Sequence, residues 1–377
     1  MTVPSLGALD GLRVLDLSRH APGPFVAMML ADHGADVVQI ADATFHGEHG
    51  QSNDAYMALR GSPADQLSRN KRSIGLDLKS HGGRTVLHRL VERADVLITE
   101  WRPGTAERLG ADYRTLAALN ARLVYCAVSG YGQSGPEARQ AGHDLNYVGR
   151  SGVLSLLADR NGRPIVPVNI LADFGGAAVA AFAILAALTA RGRTGRGQFV
   201  DASLTDAVRY LATDFASLAG AGLAEPRGGD WVVTGGVPFY DVYETRDGRH
   251  VTVAALEDRF FRRLCERLGL TELADAQWRR DTYPAMRAAF ASAFLSRTQR
   301  EWMALLADED VCVGPVASFT EAVRAAGGDT GAPRLSDTPV RSSAPPAKPF
   351  ADTDEVLAGL GMSREEIDRL KGSGDVR

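Results

Sequence analysis

Cysteine is scarce in this chain: Cys126, Cys265 and Cys312 are widely spaced and odd in number. No CxxC and no Cys/His cluster accompanies them, so neither a disulfide framework nor a zinc site is suggested. A dominant charge is missing as well. Basic residues number 42 and acidic residues 46, and the net charge of −4 leaves no electrostatic footprint for nucleic acid or an anionic membrane. The longest apolar run, Phe174 to Ala190, is mostly Ala and Gly. It falls short of the ~20 residues that span a bilayer and suits a tightly packed buried helix. No basic region followed by an apolar core marks a secretory signal, so a cytoplasmic protein in a reducing compartment is expected. The first strand–turn–helix also lacks GxGxxG, which argues against a nicotinamide enzyme.

What is present is an ordinary globular composition, 45% hydrophobic and 23% charged, in 377 residues, enough for two domains. Arg13 to Leu17 reads as a strand, the turn Ser18 to Pro24 leads into a helix ending near Asp32, and Ala35 to Ile40 is a second strand. The free N–H groups of that helix start suit an anion. Residues 41 to 70 read as a long loop. Its His46, Glu48 and His49 have metal-ligand chemistry, but Gly47 and Gly50 oppose the helix that would converge them. Lys71 to Leu78, Asp95 to Thr99 and Leu123 to Ser129 follow as strands separated by helices, which implies a mostly parallel sheet with ligands at the strands' carboxyl ends. Gly130-Tyr-Gly-Gln-Ser-Gly135 sits at one such end, as a plain turn or as backbone opened to a ligand. A smaller α+β unit begins near Pro238, with a hairpin from Tyr243 to Val253 turning through Asp247-Gly248. The expected division is a large domain over 1–203, a linking helix and loop over 204–236, a small domain over 237–317, and a linker with a C-terminal return over 318–377.

The chemistry concentrates between Gly142 and Asp173. His143 and Asp144 open an amphipathic helix, with Leu145, Val148, Val153 and Leu154 at near-helical intervals. Asp144 reads as an N-cap, and the helix start would stabilise an anion placed before it, such as an enolate formed from a thioester. Asp173 heads the apolar helix and is either another cap or a base whose pKa is raised by apolar neighbours. Two acid/base groups at two helix starts are a proton-transfer site in outline. Glu257 ends a strand of the second unit, where it is a surface carboxylate or a partner for His143.

Several phrases together resemble the family III CoA-transferase superfamily: Gly130 to Gly135, Ala141-Gly-His-Asp-Leu-Asn-Tyr147, Asn169-Ile-Leu-Ala-Asp-Phe174 and Arg193 to Asp201. Lys71 to Lys79 and Arg102-Pro-Gly104 belong to the same pattern, which runs over nearly the whole chain. The His before Asp144 resembles the α-methylacyl-CoA racemase branch. The resemblance implies an α/β fold with a Rossmann-like large domain, a smaller α+β domain and an interlocked homodimer. It implies that His143 and Asp173 act on opposite faces of the α-carbon of an acyl-CoA, that Glu257 pairs with His143, and that the Asp144 N–H supports the enolate. Lys71, Arg72 and Arg102 become candidates for CoA phosphates, with Gly132 as a backbone contact. The acyl chain would meet apolar surface of the small domain, with Phe239, Tyr240 and Phe260 either part of that surface or simply packing the core. No metal or separate cofactor is required, CoA being part of the substrate. The rival within the family is a CoA transferase using Asp144 as nucleophile; a third reading is a binding protein without catalysis. One departure stands out: Ala41-Asp42-Ala43-Thr44 occupies the place where family members carry an Arg for the adenosine end of CoA.

Overall fold

The computed structural model describes residues 7–44, 59, 62, 64–159, 161–327, 331–341, 344–346 and 348–377. His46, Glu48 and His49 lie outside the described residues. The chain divides into two compact units, one of Met1–Ser151, Pro167–Ala212 and Thr330–Arg377, the other of Gly152–Val166 and Thr213–Asp329.

Strands of the first unit are short and apolar because both faces of a parallel sheet are covered. They are β1 (Arg13–Asp16), β2 (Asp36–Asp42), β3 (Lys71–Leu76), β4 (Val96–Thr99), β5 (Val124–Ser129) and β6 (Phe199–Ser203). Every neighbouring pair is parallel, in the order β3-β2-β1-β4-β5-β6. The order reverses between β1 and β4, so a crevice opens beyond their carboxyl ends. Helices α1 (Pro22–Asp32), α2 (His81–Val91), α3 (Thr105–Leu109) and α4 (Tyr113–Leu119) link these strands. Helix α5 (Asp144–Ser151) and a π-helical turn, Ile170–Gly175, precede α6 (Gly176–Thr194), and α7 (Leu204–Leu211) follows β6.

The π turn and α6 form one helical run, Ile170–Thr194, of 25 residues, apolar and long enough by length and composition to cross a membrane. The unbroken apolar run, Phe174 to Ala190, lies inside this helix, which begins four residues earlier and ends four residues later. Ala177, Ala180, Ala181, Ile184 and Ala187 are buried, and α6 packs on α1, α7, β5 and β6. Small side chains permit that approach: a Cβ on Gly176 would stand 2.7 Å from Leu204 Cδ2. Gly195 then ends the helix in the left-handed conformation at φ 71°.

The second unit carries α8 (Thr213–Gly220) and an antiparallel sheet of β7 (Tyr240–Glu244), β8 (His250–Ala254) and β9 (Val313–Pro315), in that order. Its remaining helices are α9 (Asp258–Leu268), α10 (Tyr283–Phe294), α11 (Gln299–Leu306) and α12 (Phe319–Ala325). The expected hairpin pairs Tyr243 with Val251 and turns through Gly248 at φ 72°. Phe239, Phe261, Phe290 and Phe294 fill the core.

The unit boundaries differ from those expected. Helix α7 belongs to the first unit because it buries Leu204, Thr205, Ala207 and Val208 there. Residues 213–236 and α12 belong to the second, and so do residues 152–166, where the Gly228 N–H donates to Ser155 O at 3.0 Å. The chain then returns to the first unit with α13 (Thr353–Gly359) and α14 (Arg364–Gly372), the latter opened by the Ser363/Glu366 capping box. Val356, Leu357, Ile367 and Leu370 join that unit's core, and Val376 bridges Leu76 at the edge of β3.

Candidate active site

His143 is the residue from which α5 springs. Its carbonyl accepts the Asn146 and Tyr147 N–H groups at 2.9 and 3.2 Å, and its own N–H donates to Asn146 Oδ1 at 3.1 Å. The backbone is thereby fixed while the imidazole stands exposed. Asp144 does not cap its own helix. It is the first helical residue, 4% exposed, and its Oδ2 accepts the N–H groups of Ala172 and Asp173 at 2.8 and 2.9 Å.

That correction has a consequence for geometry. One carboxylate joins the segment carrying His143 to the segment carrying Asp173, although about thirty residues separate them (28 and 29 positions for the two bonds). Asp173 is not a cap either. It lies inside the π-helical turn, whose extra residue per turn re-aims side chains and is frequent at functional sites. Asn169 Nδ2 donates to Asp173 Oδ2 at 3.1 Å, and Phe174 meets Phe25 of α1 edge-on at 5.0 Å between ring centres.

Two tyrosines brace the backbone that leads into His143. Tyr147 hydroxyl donates to Gly142 O, and the Tyr147 and Tyr131 rings meet edge-on at 5.1 Å. Gly130 is glycine because a Cβ there would fall inside the Tyr147 ring. Burial, and then Tyr131, pushes the Tyr147 pKa up to about 12, which keeps the phenol neutral and a donor. The loop through Gly132 (φ 84°) is tied down where the Gln133 N–H donates to the Asp201 carboxylate at 3.0 and 3.1 Å. Gly132, Ser134, Asp201, Ser203, Asp206 and Tyr210 line a cavity of about 320 Å³. Two carboxylates, Asp201 and Asp206, share that lining with Gly132.

The anion seat expected at the start of α1 is already filled. Glu100, just past β4, accepts the N–H groups of Arg19, His20 and Gly23 at 2.9, 2.8 and 2.6 Å. Gly23 allows this, since a Cβ there would stand 2.9 Å from Glu100 Cδ and overlap Ser18. Burial is the largest influence on Glu100; together with Asp16 it outweighs those three bonds and raises the pKa to about 7.

Two of the three expected phosphate-binding cations are engaged elsewhere. Lys71 is 6% exposed, and its Nζ donates to Asp16 Oδ2 and Pro24 O, both at 2.9 Å. Strand alternation sends Arg72 to the other face, where it forms bonds of 2.7 to 3.1 Å with Asp36 and a 3.5 Å contact with Glu355. Arg102 is exposed and makes no ion pair among the described residues. Asp42, at the place of the missing Arg, accepts the Thr44 N–H and hydroxyl at 2.9 and 2.6 Å.

In the second unit Glu257 is the N-cap residue of α9, with an exposed side chain that makes no cap bond. Gln277 Nε2 holds the strand end before it, donating to Ala255 O and Leu256 O at 3.2 and 2.8 Å. Phe239 and Phe260 are buried; Phe239 packs edge-on against Phe261, Trp278 and Tyr283. Both therefore take the core role of the two expected for them. Among the described residues no group of three or more His, Cys, Asp and Glu side chains is placed to hold a metal.

A sequence model of CoA-transferase family III matches residues 9–330. The chain belongs to that family. It is 38% identical over 380 residues to a Mus musculus alpha-methylacyl-CoA racemase, with 96% of each chain covered. It is 32% identical over 327 residues to an Acetobacter aceti acetyl-CoA:oxalate CoA-transferase, covering 84% of this chain and 82% of that one. A crystal structure of a CaiB/BaiF family protein from Brucella suis superposes with a TM-score of 0.79 at 28% identity, covering 94% of this chain and all of that one. Family III thus accounts for the parallel sheet and its appended second unit.

Within this family III chain, sequence reasoning missed Asn146, Asn169, Tyr147 and Glu100. Asn146 and Asn169 each stand within four residues of an acid/base group, a spacing that places side chains on one helical face. Glu100 left no such signal, because its partners lie 77 to 81 positions away.

Proposed function

We propose that this protein is an acyl-CoA racemase or epimerase, an isomerase that inverts the α-carbon of a 2-methylacyl-CoA. The observation that carries the reading is the Asp144 bridge, which fixes the His143 helix start beside the Asp173 turn. The relatives named alpha-methylacyl-CoA racemase support it. Either His143 or Asp173 removes the α-proton, and the other returns one to the opposite face. The thioester oxygen gains charge as the proton leaves. The Asp144 N–H, first in α5 and without a partner among the described residues, is suited to that oxygen. Asn169 donates to Asp173 and steadies its carboxylate.

The transferase alternative asks Asp144 to attack as a nucleophile. Its burial weighs against that use; the two backbone bonds do not, because attack through Oδ1 would leave Oδ2 accepting both N–H groups. CoA enters as part of the substrate, with Arg102 as the free cation for its phosphates. Glu257 pairs with His143 across an interlocked homodimer in this reading. Apolar surface on each unit favours such a partner: Phe182 and Tyr210 on the first are 65% and 66% exposed, and Phe319 on the second 86%. Free Cys126, Cys265 and Cys312 suit a reducing cytoplasm.

Proton NMR of a 2-methylacyl-CoA in D2O, with and without a carboxylic acid acceptor, tests the reading. Loss of the α-proton signal without acceptor, abolished in His143→Ala and Asp173→Ala, is expected. An unchanged α-proton, with new acyl-CoA formed only when acceptor is added, would transfer the assignment to CoA transfer.

A further inference from the structure

The proton-transfer scheme makes no use of Glu100, yet Glu100 is a half-buried ionisable group that organises one side of the site. Its carboxylate gathers three backbone N–H groups from Arg19, His20 and Gly23, at 2.6 to 2.9 Å, around the start of α1. Helix α1 packs along α6 and the π-helical turn. At that contact Phe25, three residues into α1, lies edge-on to Phe174, the neighbour of Asp173. A continuous path of bonded and packed groups therefore runs from Glu100 to the backbone of Asp173. Tyr147, whose hydroxyl holds Gly142 beside His143, senses both Glu100 and Asp173 electrostatically.

We propose that Glu100 is a positioning residue for the proton-transfer site: it fills the anion seat at the β1–α1 turn and thereby sets α1, the Phe25–Phe174 contact and the turn that carries Asp173. The proposal rests on the racemase reading for its catalytic consequence, but not for its structural one. A ligand phosphate is excluded from this seat by the carboxylate already in it.

The grip is titratable. Around Glu100 stand Asp16 of β1, itself paired with Lys71 of β3, the backbone N–H groups of Arg19 and His20 in the turn, and Tyr147 of α5. Opening the turn would expose Glu100 to water and restore its ordinary acidity. Since the closed form holds its proton up to about pH 7, ionisation above that value favours opening.

Amide hydrogen exchange, corrected for intrinsic rates, is the first test, because it reads the turn without reference to activity. In the wild type, protection of segments 19–23 and 170–175 should fall together as pH rises through about 7. Glu100→Gln, which is neutral at every pH, should abolish that dependence in both segments. Glu100→Ala, which empties the seat, should lower kcat for α-proton exchange roughly ten- to a hundredfold with little change in KM. If Glu100→Ala does not fold, the Gln variant decides alone. Protection of 170–175 that is unmoved by pH and by Glu100→Gln would overturn the proposal, as would a Glu100→Ala enzyme with wild-type kcat. Wild-type protein that exchanges no α-proton would defeat the racemase reading and leave the hydrogen-exchange test standing.

Discussion

Asp144 and Glu100 are both carboxylates that collect backbone N–H groups near a helix start, but they leave those helices in opposite states. Glu100 fills the start of α1 with three bonds, so nothing else can use it. Asp144 turns away from the start of its own helix and bonds instead to Ala172 and Asp173, 28 and 29 positions further along. The start of α5 is left open to a developing negative charge, with the exposed His143 beside it. The same interaction therefore closes one helix start and leaves the other open. Location in the chain gives no hint of which is which; the acceptor's partners do.

The comparison is broken most severely at the groups proposed to exchange protons. His143→Ala or Asp173→Ala should lower the rate of α-proton loss into D2O by about 10² to 10⁴, measured by NMR, while the fold persists. Removing the bridge comes next. Asp144→Ala should cost roughly 2 to 4 kcal/mol in urea unfolding, since two N–H groups lose their acceptor. Activity should fall in the same variant. An Asp144→Ala protein of wild-type stability would show that the bridge is dispensable. Gly130→Ala, which drives a methyl group into the Tyr147 ring, should cost about 1 to 3 kcal/mol by the same measurement.

Glu100 supplies a pH-dependent contrast with a definite sign. Its pKa is about 7 in the folded protein and 4.5 ordinarily, so the folded state binds more protons between those values. Its contribution to stability is fully present below the unfolded value of 4.5 and is lost as pH rises through about 7. Urea midpoints of the wild type should decline across that window relative to Glu100→Gln; parallel curves would refute the assignment. The smallest effect concerns the cations. Arg102→Ala should raise KM for acyl-CoA roughly two- to fivefold, as suits an exposed charge contact worth up to about 1 kcal/mol, whereas Arg72→Ala should leave KM unchanged.

Local patterns carried much of the molecule. Alternating strands and helices, the missing dinucleotide fingerprint and the Asp247-Gly248 turn follow from period, turn chemistry and glycine placement, all of which act over a few residues. The acid/base chemistry proposed for His143 and Asp173 was suggested by two acid/base residues sitting next to glycines and apolar helical patterns. Their supports were less so. Asp144 and Asp173 both read as caps, since a carboxylate before an apolar run looks the same whether it bonds to its own helix or to a distant one. Lys71 and Arg72 read as a phosphate-binding pair because sequence shows charge and not the faces of a strand.

By itself, then, the sequence determined the α/β class, the two-unit plan and which residue types are available for proton transfer, because these depend on local periodicity and side-chain chemistry. Tertiary structure alone decided which of those groups are free. It joined Asp144 to the Asp173 turn, seated Glu100 on Gly23, buried Lys71 against Asp16 and left Arg102 in solvent. The reason is physical. A buried charge or N–H must find a partner, and the partner is chosen by which strand ends and helix starts the sheet order brings together, a property no local stretch of chain contains.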